Sequence, residues 1–493
     1  MKSIKKIFAV LMAMIIAVSL ATTTTAFADE KTYEITINNS NSGHTYEAYQ
    51  IFTGSLSSKG VLSDINWGAG ISDAGKTAMG DAAVKAETLK SEADAKNFAN
   101  EISQYLTTPQ GTASTVVNGK YVISGLTAGY YLIKDKDDSL QGGSDAYTSY
   151  ILKVVSDVTT APKSDTPQAS KKVKDINDTD GTTTDWQDSA DYDINDRIPF
   201  QLSGTLPSNY DAYNKYHLTF HDTQSAGLTF DKDSVKVFLD GTQITEGYTL
   251  VTEGLTDGCT FEVRFSDVKS LDAAHSGSVI TVEYESVLNT NAVIGSQGNP
   301  NTMNMEYSNN PNDSQGGETG TTPDDTVIVF TYKTVVNKVD NNGNKLAGAE
   351  FTLEKKMADG TWKAIEVVKN ADGTAFTFSG LDDGDYRLTE TVTPEGFNSI
   401  APIEFTITAT HDIISDSPAL TGLNGEAESG EITFTSNTAG GSLTTKVVNK
   451  KGSTLPSTGG IGTTIFYVIG SVLVVGAAIF LISRKRMNAV KEK

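Results

Sequence analysis

Lysines set among apolar residues are the side chains of this sequence with the clearest chemical potential. In the run Ala169-Ser170-Lys171-Lys172-Val173, period two puts Ala169, Lys171 and Val173 on one face of a strand and Lys172 on the other. Asn301, Met303, Met305 and Tyr307 share a face in the same way. A lysine amine is nucleophilic only when neutral, and an apolar core lowers its pKa toward that state. Other chemistry is poorly provided for. The five histidines are scattered without metal-ligand spacing. Asp340-Asn341-Asn342-Gly343-Asn344 resembles the start of a calcium loop, but glycine stands fourth instead of sixth and no glutamate stands twelfth, so a hairpin turn is expected. The one cysteine, Cys259, excludes an intramolecular disulfide and reads as a buried small residue. No phosphate-binding loop or nucleophile elbow occurs, and neither a metal nor a cofactor is expected.

The elements that must position these residues are short alternating runs separated by Gly, Asn and Asp. Tyr33-Glu34-Ile35-Thr36-Ile37, Ser234-Val235-Lys236-Val237-Phe238-Leu239 and Ile403-Glu404-Phe405-Thr406-Ile407 are examples. This pattern predicts antiparallel β-sandwiches, hence a mainly β fold. Residues 81–106 differ: they are rich in Ala, Glu and Lys, with Phe98, Ile102 and Leu106 at helical spacing, and predict one helix inserted into the first domain. Polar, Pro-containing stretches at 159–170 and 311–325 read as connections. The expected domains are therefore 29–162, 163–322 and 323–452, three for a chain of 493 residues.

Both ends carry processing signals. Lys2, Lys5 and Lys6 precede an apolar run over 7–20, and Ala26-Phe27-Ala28 follows, which predicts a signal peptide over 1–28 cut between Ala28 and Asp29. At the other end an apolar stretch, 465–482, is near membrane-spanning length and is followed by Arg484-Lys485-Arg486, which keeps the tail cytoplasmic. Before it stands Leu455-Pro456-Ser457-Thr458-Gly459. Pentapeptide, apolar span and basic tail over 453–493 resemble the cell-wall sorting signal of Gram-positive surface proteins. That resemblance implies cleavage by a sortase between Thr458 and Gly459, with Thr458 held as a thioester. The net charge of −22 argues against nucleic acid as a partner.

Lys338-Val339-Asp340, Gly348-Ala349-Glu350-Phe351-Thr352-Leu353 and the stretch Tyr386-Arg387-Leu388-Thr389-Glu390-Thr391 resemble a Cna B-type domain with its glutamate box. The family implies an isopeptide bond between Lys338 and Asn449, assisted by Glu390. The stretches around Phe220-His221-Asp222 and Gly298-Asn299-Pro300-Asn301 look like the isopeptide-forming middle domain of fimbrial backbone subunits. That implies a second set, Lys171, Asn301 and Asp222, with Lys172 and Asn309 as competing choices. Gly43-His44-Thr45-Tyr46 and Gly129-Tyr130-Tyr131 resemble pilin N-terminal domains, without a glutamate box. The chain as a whole resembles a sortase-assembled major pilin built of tandem Ig-like (Cna B-type) sandwiches. The resemblance implies a covalent polymer of identical subunits, in which Thr458 is joined to an acceptor lysine by a pilin-polymerising sortase. A housekeeping sortase would then attach the polymer to peptidoglycan, with minor pilins and host ligands as further partners. Pro162-Lys163 is a degenerate match to the acceptor motif and makes Lys163 the candidate. A monomeric wall-anchored adhesin is the alternative. Neither reading is an enzyme.

Overall fold

The computed structural model describes residues 31–140, 143, 145–313, 315–428, 432–452 and 461–490. The signal peptide and the cut site at Ala28 and Asp29 lie outside the described residues, as do Leu455, Pro456, Ser457, Thr458 and Gly459.

From Tyr33 to Thr160 the described residues form a sandwich of a three-stranded sheet (Lys120–Leu126, Tyr33–Asn38, Val158–Thr160) and a second sheet ordered Leu62–Trp67, Tyr46–Leu56, Gly129–Asp135, Ser149–Val154. The strand Tyr46–Leu56 is buried on both faces over most of its length. Tyr46 and Ala48 face the sandwich core, whereas Tyr49, Ile51 and Phe52 pack against a helical layer. That layer is not one helix. Three short helices occur, Asp73–Met79, Ala82–Thr88 and Glu92–Ser103. Gly80, at φ 79°, ends the first, and Asp81 caps the second through the Val84 N–H. Ser91 and Asp94 form a capping box that starts the third. The segment 81–106, whose composition reads as one helix, is broken between Leu89 and the Ser91 capping box, and Asp73–Met79 is a further helix that lies before it.

The middle domain pairs a sheet ordered Thr242–Ile244, Leu228–Leu239, Val279–Leu288, Arg197–Thr205, Gln168–Val173 with one ordered Ser189–Asp191, Asp325–Phe330, Asn299–Ser308, Leu218–Gln224, Phe261–Phe265, Thr249–Val251. The strand Asp325–Phe330 thus belongs to this domain, and the seam falls near Thr331 instead of at 322. Part of the stretch read as a connection is also ladder, because Thr319–Thr321 pairs with Asn299–Ser308. In the third domain one sheet runs Val367–Lys369, Ala375–Leu381, Tyr332–Asp340, Ser442–Asn449, Phe434–Asn437. The other runs Trp362–Ile365, Glu350–Lys356, Gly384–Val392, Ile403–His411, Leu420–Ala427. Beyond it, the helix Ile461–Val490 is long and apolar enough to cross a membrane over Ile465–Lys485.

The domains touch closely. Asn309, assigned above as a competing cross-link residue, instead joins the first two. Its carbonyl accepts from Tyr147 N–H at 2.7 Å and its side-chain amide donates to Leu140 O at 3.1 Å. At the second seam a Cβ on Gly441 would stand 2.4 Å from Gly295 Cα, so only glycine permits that approach. The same seam buries Lys355 of the third domain, whose amine donates to Asp382 and to Asp193 Oδ2 (3.0 Å), with Asp178 Oδ2 at 3.8 Å. Burial opposes its charge, but Asp382 and Asp193 hold its pKa above the usual lysine value.

One lysine does not balance the acids around it. Burial, then the neighbouring Asp191, pushes the Asp175 carboxyl up to about 8; burial and Asp193 push Asp196 up to about 7; burial and Asp191 push Asp383 up to about 6. His411 Nε2 faces Asp175 and Asp191 at 3.7 Å. Carboxyls with raised native pKa values bind more protons folded than unfolded, so their contribution is retained below the unfolded value and lost as pH rises through 6 to 8. The full chain is therefore expected to melt at a lower temperature at pH 8 than at pH 5. Asp175→Asn should flatten that dependence; an unchanged slope would contradict this account of the seam.

Candidate functional site: two buried lysine, amide and carboxylate clusters

In the third domain the first and last strands lie side by side. Tyr332–Asp340 and Ser442–Asn449 pair in parallel, with Lys338 opposite Val447 and Asp340 opposite Asn449. Alternation turns Lys338 and Asn449 into the core, where both are fully buried. Lys338 Nζ donates to Asn449 Oδ1 at 2.5 Å and to Val447 O at 3.1 Å. Glu390 reaches in from Gly384–Val392 of the facing sheet. Its two oxygens accept from Asn449 Nδ2 at 2.9 and 3.0 Å, and Oε1 lies 3.7 Å from Lys338 Nζ. Thr393 Oγ1 and the Ile400 N–H steady Oε2 at 3.2 and 3.4 Å. Burial lowers the Lys338 pKa, opposed by the nearby Glu390, so the neutral amine is favoured relative to water.

The middle domain brings the same three residue types together between its sheets. Lys171, on Gln168–Val173, is fully buried and donates to Asp222 Oδ2 of Leu218–Gln224 and to Tyr284 OH at 2.9 Å. Asn301, on Asn299–Ser308, is equally buried and donates through Nδ2 to the same Tyr284 OH at 2.9 Å. Tyr284 in turn donates to Asp222 at 2.8 Å. Asn301 Oδ1 is buried with no hydrogen-bond partner among the described residues, an amide oxygen left open at the centre of the cluster. Phe200, Phe230 and Phe261 surround the tyrosine ring at 5.4, 5.6 and 4.9 Å. Desolvation in this aromatic box pushes the Lys171 pKa down and the Asp222 pKa up, each partly offset by the other. Both shifts favour the uncharged forms.

Lys172 points the other way, its amine on Asp188. Lys163 is exposed, in the segment between Val158–Thr160 and Gln168–Val173, and its backbone N–H donates to Thr148 Oγ1 at 2.8 Å. Tyr284 escaped the sequence reading, and so did Asp325, whose carboxylate accepts the Lys171 N–H at 2.7 Å. A signal for Tyr284 existed: Ile280, Val282, Tyr284 and Leu288 share the buried face of Val279–Leu288, and Tyr284 carries that face's one phenol. Cys259 is half-buried and not in the core, because it lies in the loop before Phe261–Phe265, outside the sandwich.

Residues 333–417 match the prealbumin-like fold domain family SpaA, and 447–488 match the LPXTG cell wall anchor motif. With a β-sandwich array before it, that motif defines a cell-wall-anchored surface protein of the Gram-positive type. More particularly, the chain is a homologue of the trypsin-resistant surface T6 protein of Streptococcus pyogenes serotype M6. It is 28% identical over 393 residues, covering 66% of this chain and 70% of that protein. Among solved structures, the T6 backbone pilin of serotype M6 Streptococcus pyogenes, described as a modular three-domain structure, aligns with 87% of this chain and all of its own. The TM-score is 0.54 at 20% identity, a likeness of fold. The full-length major pilin SpaD of Corynebacterium diphtheriae covers 87% of this chain and 99% of its own, with a TM-score of 0.49 and 17% identity.

Proposed function

We propose that this chain is the backbone subunit of a covalently polymerised surface pilus. A sortase would cleave after Thr458 and pass it to Lys163 of the next subunit. Each of the two clusters forms an internal isopeptide bond. Neutral Lys338 or Lys171 attacks the asparagine side-chain carbon, a new C–N bond forms, the old one breaks, and ammonia leaves with a proton relayed by Glu390 or Asp222. Each cluster acts once on itself, so the protein is structural and has no turnover. The observation that carries the reading is the wall-anchor motif following stacked sandwiches, supported by the contact of Lys338 with Asn449 and by the link of Lys171 to Asn301 through the Tyr284 hydroxyl. The T6 homologue supports it. Minor pilins, host ligands and peptidoglycan remain the expected partners. Wall extracts boiled in detergent and blotted for the chain should give a high-mass ladder. A single band at monomer mass would favour the anchored adhesin instead.

A further inference from the structure

On the outside of the middle domain, directly behind the Asp222 cluster, His221, Asp257 and Cys259 converge. Alternation along Leu218–Gln224 sends Asp222 inward and its neighbour His221 outward. Pairing with Phe261–Phe265 then brings the loop that precedes that strand over the imidazole. His221 Nδ1, Asp257 Oδ2 and Cys259 Sγ lie mutually 2.8, 3.1 and 3.7 Å apart: nitrogen to oxygen, sulfur to oxygen and sulfur to nitrogen. Cys259 and His221 are half-buried and Asp257 is exposed, so the three donors open to solvent.

We propose that His221, Asp257 and Cys259 form a binding site for a borderline-soft divalent cation, zinc above all. A tetrahedral zinc with bonds near 2.3 Å to sulfur and about 2.0–2.2 Å to nitrogen and oxygen separates its ligand atoms by about 3.4–3.6 Å. The sulfur–nitrogen pair, at 3.7 Å, is within about 0.2 Å of that spacing, and the other two pairs need to open by only about half an ångström. Mixed sulfur, imidazole and carboxylate donors suit zinc better than calcium or magnesium, which take oxygen. The loop is held for the purpose: Asp257 Oδ1 accepts the Cys259 N–H at 3.1 Å while Oδ2 stays turned to the site. Glu262, the cross-strand partner of His221, places Oε1 3.4 Å from Nδ1 and is itself bound by Arg264, adding negative charge beside the ion. Solvent completes the fourth corner.

Binding balances simply. The thiol proton, which Cys259 directs at Asp257, is released to water as the S–Zn bond forms; the neutral imidazole, whose Nδ1 proton faces Asp257 in the free site, shifts to the Nε2–H tautomer and coordinates through Nδ1 with no further net release. Without a cation the thiol is inert, since burial and Asp257 push its pKa up to about 12. A metal reverses that bias by supplying positive charge where the acid supplies negative.

The test uses the full chain in detergent, stripped with chelator and titrated with Zn2+ by calorimetry and with Co2+ by absorption. One equivalent of zinc, one proton released per ion and a thiolate-to-cobalt absorption band are expected. Cys259→Ser should abolish the band and, like His221→Ala, weaken zinc by at least ~10-fold. Asp257→Asn keeps the oxygen that caps the loop and should also weaken zinc, which covers the case of a variant that folds poorly. Melting curves in chelator identify such a variant. No saturable uptake by the native chain, or uptake unchanged in the folded variants, overturns the proposal.

Discussion

The processed chain is expected to weigh about 34 Da less than its sequence, one ammonia of about 17 Da for each of two isopeptide bonds. The geometry makes the deficit specific to residues. Glu390 contacts the amide nitrogen that must leave, so Glu390→Ala should restore about 17 Da by removing the group that relays the proton to it. Asp222→Ala should restore the other 17 Da or so through the middle domain. Tyr284→Phe provides the finer cut. Its hydroxyl is the one group touching Lys171, Asp222 and Asn301 together, and its loss should slow only the middle-domain bond. The energetic consequence is large. In the third domain the bond would span 111 residues from first strand to last, and closing a loop of that length would restrict the unfolded chain by about 5 kcal/mol on the disulfide analogy. Lys338→Ala should therefore lower the melting temperature of that domain by many degrees. A native mass equal to the sequence mass would sink the whole account.

How much of this was legible in the sequence depends on the kind of feature. The period-two rule separated Lys171 from Lys172, and the structure places one amine in the core and the other on Asp188. Alternation works there because each face of that strand has a different environment. It fails on Tyr46–Leu56, where sandwich and helices cover both faces. The helical segment 81–106 is legible but its division is not, since the break between Leu89 and the Ser91 capping box is set by local caps and not by composition, and the helix Asp73–Met79 lies before it. The boundary at 322 was drawn at a polar stretch, but Asp325–Phe330 is needed to complete the middle sheet before the chain passes to Tyr332. Alternation along its own strand marks Tyr284 as buried, but its meeting with Lys171 and Asn301, like the placing of Asp325 and the group around Cys259, depends on which strands pair and in what register, which no local pattern encodes. His221 and Cys259 are far apart in sequence and meet only because their strands pair.

Lys163→Ala is expected to leave no band above the monomer in wall extracts. Polymerisation needs an amine that an enzyme can reach, and the buried lysines are ruled out by their surroundings: Lys171 and Lys338 are fully enclosed, and Lys355 is held among aspartates at the second seam. Lys163 is exposed on the segment that joins the first domain to the second. Pro162 and Pro167 flank it; neither has an N–H to extend a ladder, so the segment stays outside both sheets. It is separated in sequence from Thr458 by the middle and third domains, and that separation is what lets each new joint extend the polymer. A contact between two different ends of a subunit repeats without closing, as a filament requires. Lys163→Arg keeps the charge but removes the primary amine, so it too should abolish the ladder. Both variants should remain wall-anchored monomers carrying the full 34 Da or so of internal ammonia loss, because neither cluster includes Lys163. A ladder that persists in Lys163→Arg would assign the acceptor to another exposed lysine and overturn this placement of the joint.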